Sequence, residues 1–218
     1  MPVSVIVPAY NEQKTIYNLI RVLKDSGLFA EVIVINDGSK DRTAYLAKQA
    51  GAKVINQSKN LGKGEALLAG VKEAKENFLL FLDADLFNVR RKHLTDLIKP
   101  VEQGEADMMI GLQPKYKDFY ALNETIPKIS GQRALRREIF EAIDPKLLSG
   151  YQVEEALNDY CKTNNLKVKT IILAGLGHVS KMAKSNFLVG LWGYIKMDWQ
   201  LTKIFIWVRI LRVFKKIK

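Results

Sequence analysis

The chain has 218 residues, with a single cysteine, Cys161, and two histidines. A lone cysteine excludes both an intramolecular disulfide and a zinc site built from cysteines, which fits a reducing compartment. The N-terminus has no basic segment followed by an apolar run, so we predict no cleaved signal peptide. These absences together predict a protein that stays in the cytosol.

Low-complexity tracts, heptad arrays, internal repeats and linkers rich in proline, glycine or serine are also absent. The chain is 48% hydrophobic and 26% charged, which is ordinary for a globular protein. This length allows one sizeable α/β core and a short appendage. We therefore predict a main domain over residues 1–185 and a C-terminal tail over residues 186–218.

Two common nucleotide-binding motifs are missing as well. The chain has no G-x-x-x-x-G-K-[ST] P-loop, and no G-x-G-x-x-G follows the first predicted strand, which disfavours a dinucleotide cofactor. Residues 60–66 are nevertheless glycine-rich and open a predicted helix. The backbone N–H groups there can face an anion, with Lys63 as a point charge.

Apolar, β-branched runs alternate with segments of helical spacing through the first half of the chain. This alternation predicts a Rossmann-like, mostly parallel sheet flanked by helices. Strands are predicted at residues 3–7, 31–36, 53–56, 78–82, 106–111 and 168–174. Helices are predicted after caps at Asn11 and Ser39, and over residues 64–76, 133–143 and 152–162. His93 lies in a polar helix start and is predicted at the surface.

Polar clusters follow three of the predicted strands, where ligands bind in parallel sheets. These clusters are residues 8–12, residues 36–39 and residues 83–85. Asp37-Gly38-Ser39 by itself could be only a tight turn with a helix cap. Three such clusters at one edge of the sheet predict a binding site there.

Asp83-Ala84-Asp85 places two carboxylates two residues apart after an apolar strand. Such side chains can point the same way in an extended segment, and they repel each other unless a cation neutralises them. Oxygen ligands suit Mg²⁺ or Mn²⁺, which can bridge a diphosphate. A solvated acidic turn is the alternative, but the apolar strand favours function. His178 follows a glycine-rich stretch and precedes two lysines, which suggests a phosphate or metal nearby.

Taken in order, residues 8–12, 37–39, 62–64 and 83–85 resemble the motifs of family-2-type glycosyltransferases of the GT-A fold. Each motif is weak alone, but four in the family's order over residues 3–180 make a strong signal. The resemblance implies transfer of a sugar from a nucleotide-diphosphate sugar, with a UDP-sugar favoured, and a need for Mg²⁺ or Mn²⁺. In motif style the chain is similar to glucosyl-3-phosphoglycerate synthases.

The resemblance also implies roles for individual residues. The nucleotide would be bound by Pro8, Ala9, Tyr10, Glu12, Asp37, Lys63, Asp83 and Ala84. The metal ligands would be Asp85 and His178, and Lys181 and Lys184 would lie over the diphosphate. The sugar and acceptor side would be lined by Gly131, Arg133, Tyr151 and Glu154, from stretches similar to S-G-x-R and G-Y-x-x-E. Asp85 and Glu154 would be the catalytic residues.

Glu154-Glu155 stands where the family commonly has a Glu-Asp pair. If transfer inverts the anomeric centre, one of these acids should deprotonate the acceptor hydroxyl. If transfer retains it, or if the acceptor is a phosphate, no strong base is needed. The expected acceptor is a small phosphorylated or lipid-linked molecule.

The net charge of +11 is concentrated near the C-terminus. Residues 181–218 carry nine basic side chains and one acid, Asp198, interspersed with aromatics. These charges make the segment a poor membrane-spanning candidate. Basic and aromatic residues together are typical of a helix lying on anionic lipid, which predicts peripheral association with the inner face of the membrane. A helix packed on its own sheet or on a homodimer partner is the alternative.

Two other functions fit parts of the pattern. A sugar-phosphate nucleotidyltransferase also pairs an α/β sheet with acidic metal ligands, but its glycine-rich loop normally follows the first strand, where this chain has Pro8-Ala9-Tyr10. A nucleic-acid-binding protein would explain the positive charge. We expect no nucleic-acid partner, because no recognised motif is present and acidic strand ends repel phosphate.

Overall fold

Seven strands form the central sheet of the protein, in the order β3-β2-β1-β4-β7-β6-β8. The computed structural model describes residues 1–114, 130–148 and 153–179. The strands are β1 Val3–Ala9, β2 Glu31–Asn36, β3 Lys53–Asn56, β4 Phe78–Phe81, β5 Leu86–Phe87, β6 Met108–Leu112, β7 Gln132–Arg136, β8 Val168–Ile172 and β9 Gly177–His178. The helices are α1 Ile16–Asp25, α2 Thr43–Gln49, α3 Lys63–Glu73, α4 Arg91–Glu102, α5 Arg137–Glu141 and α6 Val153–Thr163.

The sheet is mostly parallel, as the sequence predicts. Strands β3, β2, β1 and β4 pair in parallel, β7 runs antiparallel to both β4 and β6, and β8 is parallel to β6. The carboxyl ends of β1, β2 and β4 therefore meet at one edge, which brings the three polar clusters together. No helix within the described ranges is long and apolar enough to cross a membrane.

Both faces of the sheet are buried at β1 and β2, which explains why these strands are continuous apolar runs. Along β1, Val5 and Val7 belong to the core on the side of α1 and α4, whereas Ile6 belongs to the core on the side of α3. Helix α1 contributes Ile16, Leu19, Ile20 and Leu23 at helical spacing. The cores on the two faces pack against β1 and keep the carboxyl edge of the sheet, where the candidate site lies, in a fixed position.

Strand β1 continues through Pro8 to Ala9, although proline was expected to stop it. The carbonyl of Ile6 accepts from the N–H of Leu82, on the side of β4. Alternate residues of a strand bond to the same side, so Pro8 also faces β4. Pairing with β4 ends at Ile6, so no ladder hydrogen bond is required from the backbone nitrogen at position 8. Proline, which has no N–H, is therefore tolerated there.

The prediction of a helix over residues 133–143 was wrong in its first part. Residues up to Arg136 form strand β7, and the helix α5 begins only at Arg137. Pairing with β4 and β6 overrides the local pattern. Helices α1 and α2 also begin later than predicted, because Asn11 and Ser39 bond to each other's loops instead of capping helices.

Candidate active site

The loops after β1 and β2 are joined by hydrogen bonds. The N–H of Asn11 donates to Ser39 Oγ at 2.9 Å, and the N–H of Lys40 donates to Asn11 Oδ1 at 2.9 Å. Asn11 adopts a φ of 56°, a left-handed conformation that asparagine tolerates better than most residues. The N–H of Glu12 donates to Thr43 Oγ1 at 2.7 Å. The predicted nucleotide-binding residues Pro8, Ala9, Tyr10, Glu12 and Asp37 therefore share one corner of the sheet edge.

Asp37 connects this corner to helix α3. Its carboxylate is 4% exposed and accepts hydrogen bonds from the N–H groups of Leu61 at 2.7 Å and Gly62 at 2.9 Å. Next to it, Gly38 has a φ of +70°, and a Cβ there would lie 2.5–2.8 Å from the backbone of residues 59 and 60. Glycine is therefore required at this position. Asp37 sets where α3, and thus Lys63, begins.

Lys63 lies between two carboxylates at the start of α3. Its Nζ is 2.6 Å from Asp83 Oδ1 and 2.6 Å from Glu154 Oε1. Burial by itself would lower the pKa of Lys63, but the charges of Asp83 and Glu154, with their hydrogen bonds, outweigh it and raise the pKa above its usual range. The lysine therefore stays protonated, and its charge offsets two acids that would otherwise repel each other.

Glu154 uses only one of its oxygens in this ion pair. The side chain is 6% exposed, and its Oε2 is buried with no hydrogen-bond partner among the residues that the structure describes. A buried, unpaired carboxylate oxygen is unfavourable unless a ligand supplies a donor. The role of Glu154 on the sugar and acceptor side stays a prediction.

Asp83, Asp85 and His178 come together at the end of β4, with one potential ligand atom from each within 4.8 Å of the others. His178 Nδ1 is 2.9 Å from Asp85 Oδ1. Antiparallel pairing of β5 with β9 sets Leu86, the residue after Asp85, opposite His178. The predicted ligands Asp85 and His178 are thus neighbours, although 93 residues separate them in the chain.

The chemistry of this cluster fits a divalent metal ion. Two carboxylates and an imidazole are ligands that Mg²⁺ and Mn²⁺ accept. His178 Nε2 is buried and has no hydrogen-bond partner in the described part of the chain. A buried nitrogen without a partner is expected where a ligand completes the site.

The second oxygen of Asp83 is held by a residue that the sequence analysis did not single out. Gln132 Nε2 donates to Asp83 Oδ2 at 2.7 Å, and Ser130 Oγ donates to Gln132 Oε1 at 2.7 Å. Between these two residues, a Cβ on Gly131 would collide with the Asp83 carboxylate and Lys63 Nζ. The predicted residue Gly131 therefore lies against the site. Gln132 stands at the variable position of the S-G-x-R stretch, to which the resemblance assigns no role, so the sequence carried little signal for it.

Comparison with known proteins identifies the family. The chain matches Glycosyl transferase family 2 over residues 4–164. It belongs to this family. The match spans the Asp37 corner, the Lys63 ion pairs and both site aspartates, and it confirms the family resemblance of the motifs.

Solved structures of glucosyl-3-phosphoglycerate synthase from Mycobacterium tuberculosis are similar to this family 2 chain. The complex with Mg²⁺ and UDP has a TM-score of 0.72 at 26% identity, covering 83% of this chain and 72% of that one. The complex with Mn²⁺, UDP-glucose and phosphoglyceric acid has a TM-score of 0.71, with the same identity and coverage. These similarities confirm the GT-A fold.

Curated relatives of this chain are named as sugar transferases. A dolichyl-phosphate beta-glucosyltransferase of Trichomonas vaginalis is 40% identical over 97 residues, covering 38% of this chain and 30% of that protein. A 4,4'-diaponeurosporenoate glycosyltransferase of Staphylococcus aureus is 36% identical over 125 residues, covering 54% and 33%. The chain thus spans about a third of the length of these relatives.

Arg133, predicted on the sugar and acceptor side, is 1% exposed. Its Nε donates to the Ser130 carbonyl at 2.8 Å, and its Nη1 donates to Asn158 Oδ1 at 2.8 Å. These bonds tie β7 to α6, the helix that carries Glu154. A direct contact of Arg133 with acceptor stays a prediction.

Several predicted residues lie outside the described ranges. They are Tyr151, Lys181, Lys184 and the tail over residues 186–218. The remaining nucleotide residue, Ala84, is 4% exposed between the two site aspartates. The roles assigned to all of these residues stay predictions.

The prediction that His93 lies at the surface was wrong. The residue is 6% exposed in the first turn of α4. Its Nδ1 accepts from the N–H of Arg90 at 3.2 Å, and its Nε2 lies 2.9 Å from the carbonyl oxygen of Ala174. The polar sequence around His93 suggested exposure, but both ring nitrogens have backbone partners, which allow burial.

Proposed function

We propose that this chain is a metal-dependent glycosyltransferase that takes a hexose from a UDP-sugar, with UDP-glucose favoured. The observation that carries the proposal is the Asp83, Asp85 and His178 cluster beside the Lys63–Glu154 ion pair at the carboxyl end of the sheet. The solved relatives support it, since they were crystallised with Mg²⁺ or Mn²⁺ and UDP or UDP-glucose.

Each charged residue has a distinct part in the proposed reaction. Asp85 and His178 would hold the ion, which supplies positive charge to the departing diphosphate. Lys63 keeps a positive charge at the start of α3 and orients Asp83, which would contact the nucleotide. Glu154 Oε2, which has no partner among the described residues, would accept a hydrogen bond from a hydroxyl group of the sugar or the acceptor.

A first experiment tests the nucleotide and metal site. We expect Asp85→Asn to weaken Mn²⁺-dependent UDP binding at least about ten-fold, since second-sphere changes alone alter metal sites by that much. Calorimetric titration of UDP with and without Mn²⁺ measures this. The matched control is Asp25→Asn, an exposed carboxylate in a surface ion pair with Arg21. Equal UDP affinity in both variants would contradict the metal assignment.

The proposed acceptor carries a phosphate, free or attached to a lipid. Phosphoglyceric acid is bound in a solved relative, and dolichyl phosphate appears in the name of a curated one. The shared feature is the phosphate group, and the two sources differ in their solubility.

A second experiment separates these acceptors and the main alternative. Radiolabelled UDP-glucose is incubated with Mn²⁺ and either 3-phosphoglycerate or a polyprenyl phosphate in detergent. Label in a new anionic water-soluble product identifies the first acceptor, and label extracted into organic solvent identifies the second. Pyrophosphate release from UTP and glucose 1-phosphate, without sugar transfer from UDP-glucose, would instead identify a nucleotidyltransferase.

A further inference from the structure

His93 is a buried histidine with two separate backbone partners. Because the N–H of Arg90 donates to Nδ1, that nitrogen carries no proton, and the proton of the ring lies on Nε2. Nε2 then donates to the carbonyl of Ala174 at 2.9 Å. One side of the ring therefore caps α4, and the other side binds a chain segment 81 residues away.

The segment held by His93 is the one that carries His178. Ala174 lies four residues before His178, within a turn in which the N–H of Leu176 donates to the carbonyl of Leu173 at 3.1 Å. Beyond this turn, β9 contributes only the two residues Gly177 and His178 to its ladder with β5. Because this ladder is so short, the position of His178 also depends on the contacts that hold the preceding turn in place.

Helix α4 follows Asp85, the other proposed metal ligand, closely along the chain. Asp85 precedes β5, and three residues separate the end of β5 from Arg91, where α4 begins. The bond from His93 to Ala174 therefore links the segment that follows Asp85 to the segment that precedes His178. Nδ1 of His93 bonds to the start of α4, and Nε2 bonds to the turn that contains Ala174.

We propose that His93 is a positioning residue that holds the Ala174 turn so that His178 meets Asp85 at the metal site. His93 itself contacts neither the proposed metal nor the donor, since both of its ring nitrogens are bonded to the backbone. The inference rests on the proposed metal-dependent function. A role limited to capping α4 would instead affect stability alone.

Two substitutions separate the two bonds. His93→Asn keeps an acceptor near the Nδ1 position and removes the donor to Ala174, whereas His93→Gln places an amide nitrogen near the Nε2 position. The control Val101→Ala lies in the last turn of α4, where Val101 is 2% exposed, and destabilises the core without removing either hydrogen bond of His93. All three are tested in the full chain.

The measurement is the dissociation constant for Mn²⁺, obtained from the free-ion electron paramagnetic resonance signal at a temperature where each variant is folded. We expect His93→Asn to raise this constant about ten-fold, as is typical when a residue that positions a metal ligand is changed. His93→Gln and Val101→Ala should leave the constant within about three-fold of the wild-type value. Equal constants for wild type and His93→Asn would overturn the inference while leaving the metal site intact. A wild type that binds no Mn²⁺ would overturn the proposed function as well.

A measurement on the wild type covers the case in which His93→Asn does not fold. Coupling between two sites is reciprocal, so metal binding should strengthen the bond from His93 to Ala174. We expect Mg²⁺ to slow solvent exchange of the His93 Nε2 proton, followed by nuclear magnetic resonance of histidine-labelled protein. Mg²⁺ binding that shifts His178 and leaves this exchange unchanged would overturn the inference.

Discussion

Lys63 links the proposed nucleotide side of the site to the proposed sugar side. It pairs with Asp83, which follows β4, and with Glu154, which lies on α6. Its side chain is 17% exposed, so the ion pairs are partly shielded from water. The raised pKa of Lys63 means that the stability gained from its charge is complete below about pH 10 and is lost only at higher pH.

Lys63→Met should therefore remove a charge on which two acids depend. We expect a loss of about 1–3 kcal/mol of unfolding free energy, because the buried carboxylate of Glu154 loses its ion-pair partner and Asp83 keeps its bond from Gln132. Urea denaturation at neutral pH measures this. The matched control is Lys59→Met, an exposed lysine in the preceding loop. Equal midpoints for the two variants would show that Asp83 and Glu154 do not need Lys63.

Cys161 shows how burial acts on a single group outside the site. The thiol lies on the buried face of α6, and burial raises its pKa to about 11, with Arg133 opposing and Asp107 adding to the rise. Cys161 is therefore a protonated, unreactive packing residue at neutral pH. This agrees with the absence of any cysteine chemistry in the sequence pattern.

At the scale of elements, helix α3 lies unusually close to the sheet at Gly70. A Cβ at this position would collide with Cγ2 of Ile6 and would lie 3.3 Å from Cγ1 of Ile35. Gly70 therefore lets α3 approach β1 and β2 and fixes the height at which Lys63 enters the site. The close approach has a measurable consequence.

Gly70→Ala should destabilise the fold by about 1–3 kcal/mol, even though alanine favours helix by about 1 kcal/mol over glycine. The reason is that Ile6 and Ile35 cannot move away from a packed sheet. Urea denaturation measures the change, and Lys72→Ala on the exposed side of the same helix is the control, expected within about 0.5 kcal/mol of wild type. A more stable Gly70→Ala variant would contradict the close packing.

The sequence allowed strands β1 to β4 to be predicted because each is a local apolar run between turns. Strand β7 could not be predicted in this way, since Arg133 and Arg136 interrupt its apolar pattern and its pairing with β4 and β6 decides its structure. Strands β5 and β9 have two residues each, which is too short for any periodicity. Strands β6 and β8 were also predicted, so local pattern predicted every strand of the seven-stranded sheet except β7.

The site shows the same division. Asp83, Asp85 and His178 could be predicted because their motifs follow the order typical of the family. Gln132 and His93 could not, because their roles come from contacts with residues 49 and 81 positions away. The residues that hold the site were therefore harder to predict than the residues that form it.

At the scale of the whole molecule, charge is the property that the fold leaves unexplained. The net charge is +11, and residues 199–218 contribute six basic side chains and no acid. This segment lies outside the described residues, so its predicted role on anionic lipid rests on composition alone.

The full chain should sediment with vesicles that contain anionic lipid, and deletion of residues 199–218 should leave most of it in the supernatant. Binding should weaken as salt is raised, because surface charges are screened within about 10 Å at 0.1 M salt. Neutral vesicles are the control. Equal recovery of the full and shortened chains in the supernatant would contradict a role of the tail at membranes.

The distance along the chain between Asp85 and His178 has a consequence for biosynthesis. The ribosome synthesises the chain from the N-terminus at roughly 5–20 residues per second, so His178 is added several seconds after Asp85. Until then the growing chain contains Asp83 and Asp85 but lacks His178, the third member of the cluster. Uptake of Mn²⁺ or Mg²⁺ at the proposed site must therefore be a late event, completed only after nearly all of the core has been translated.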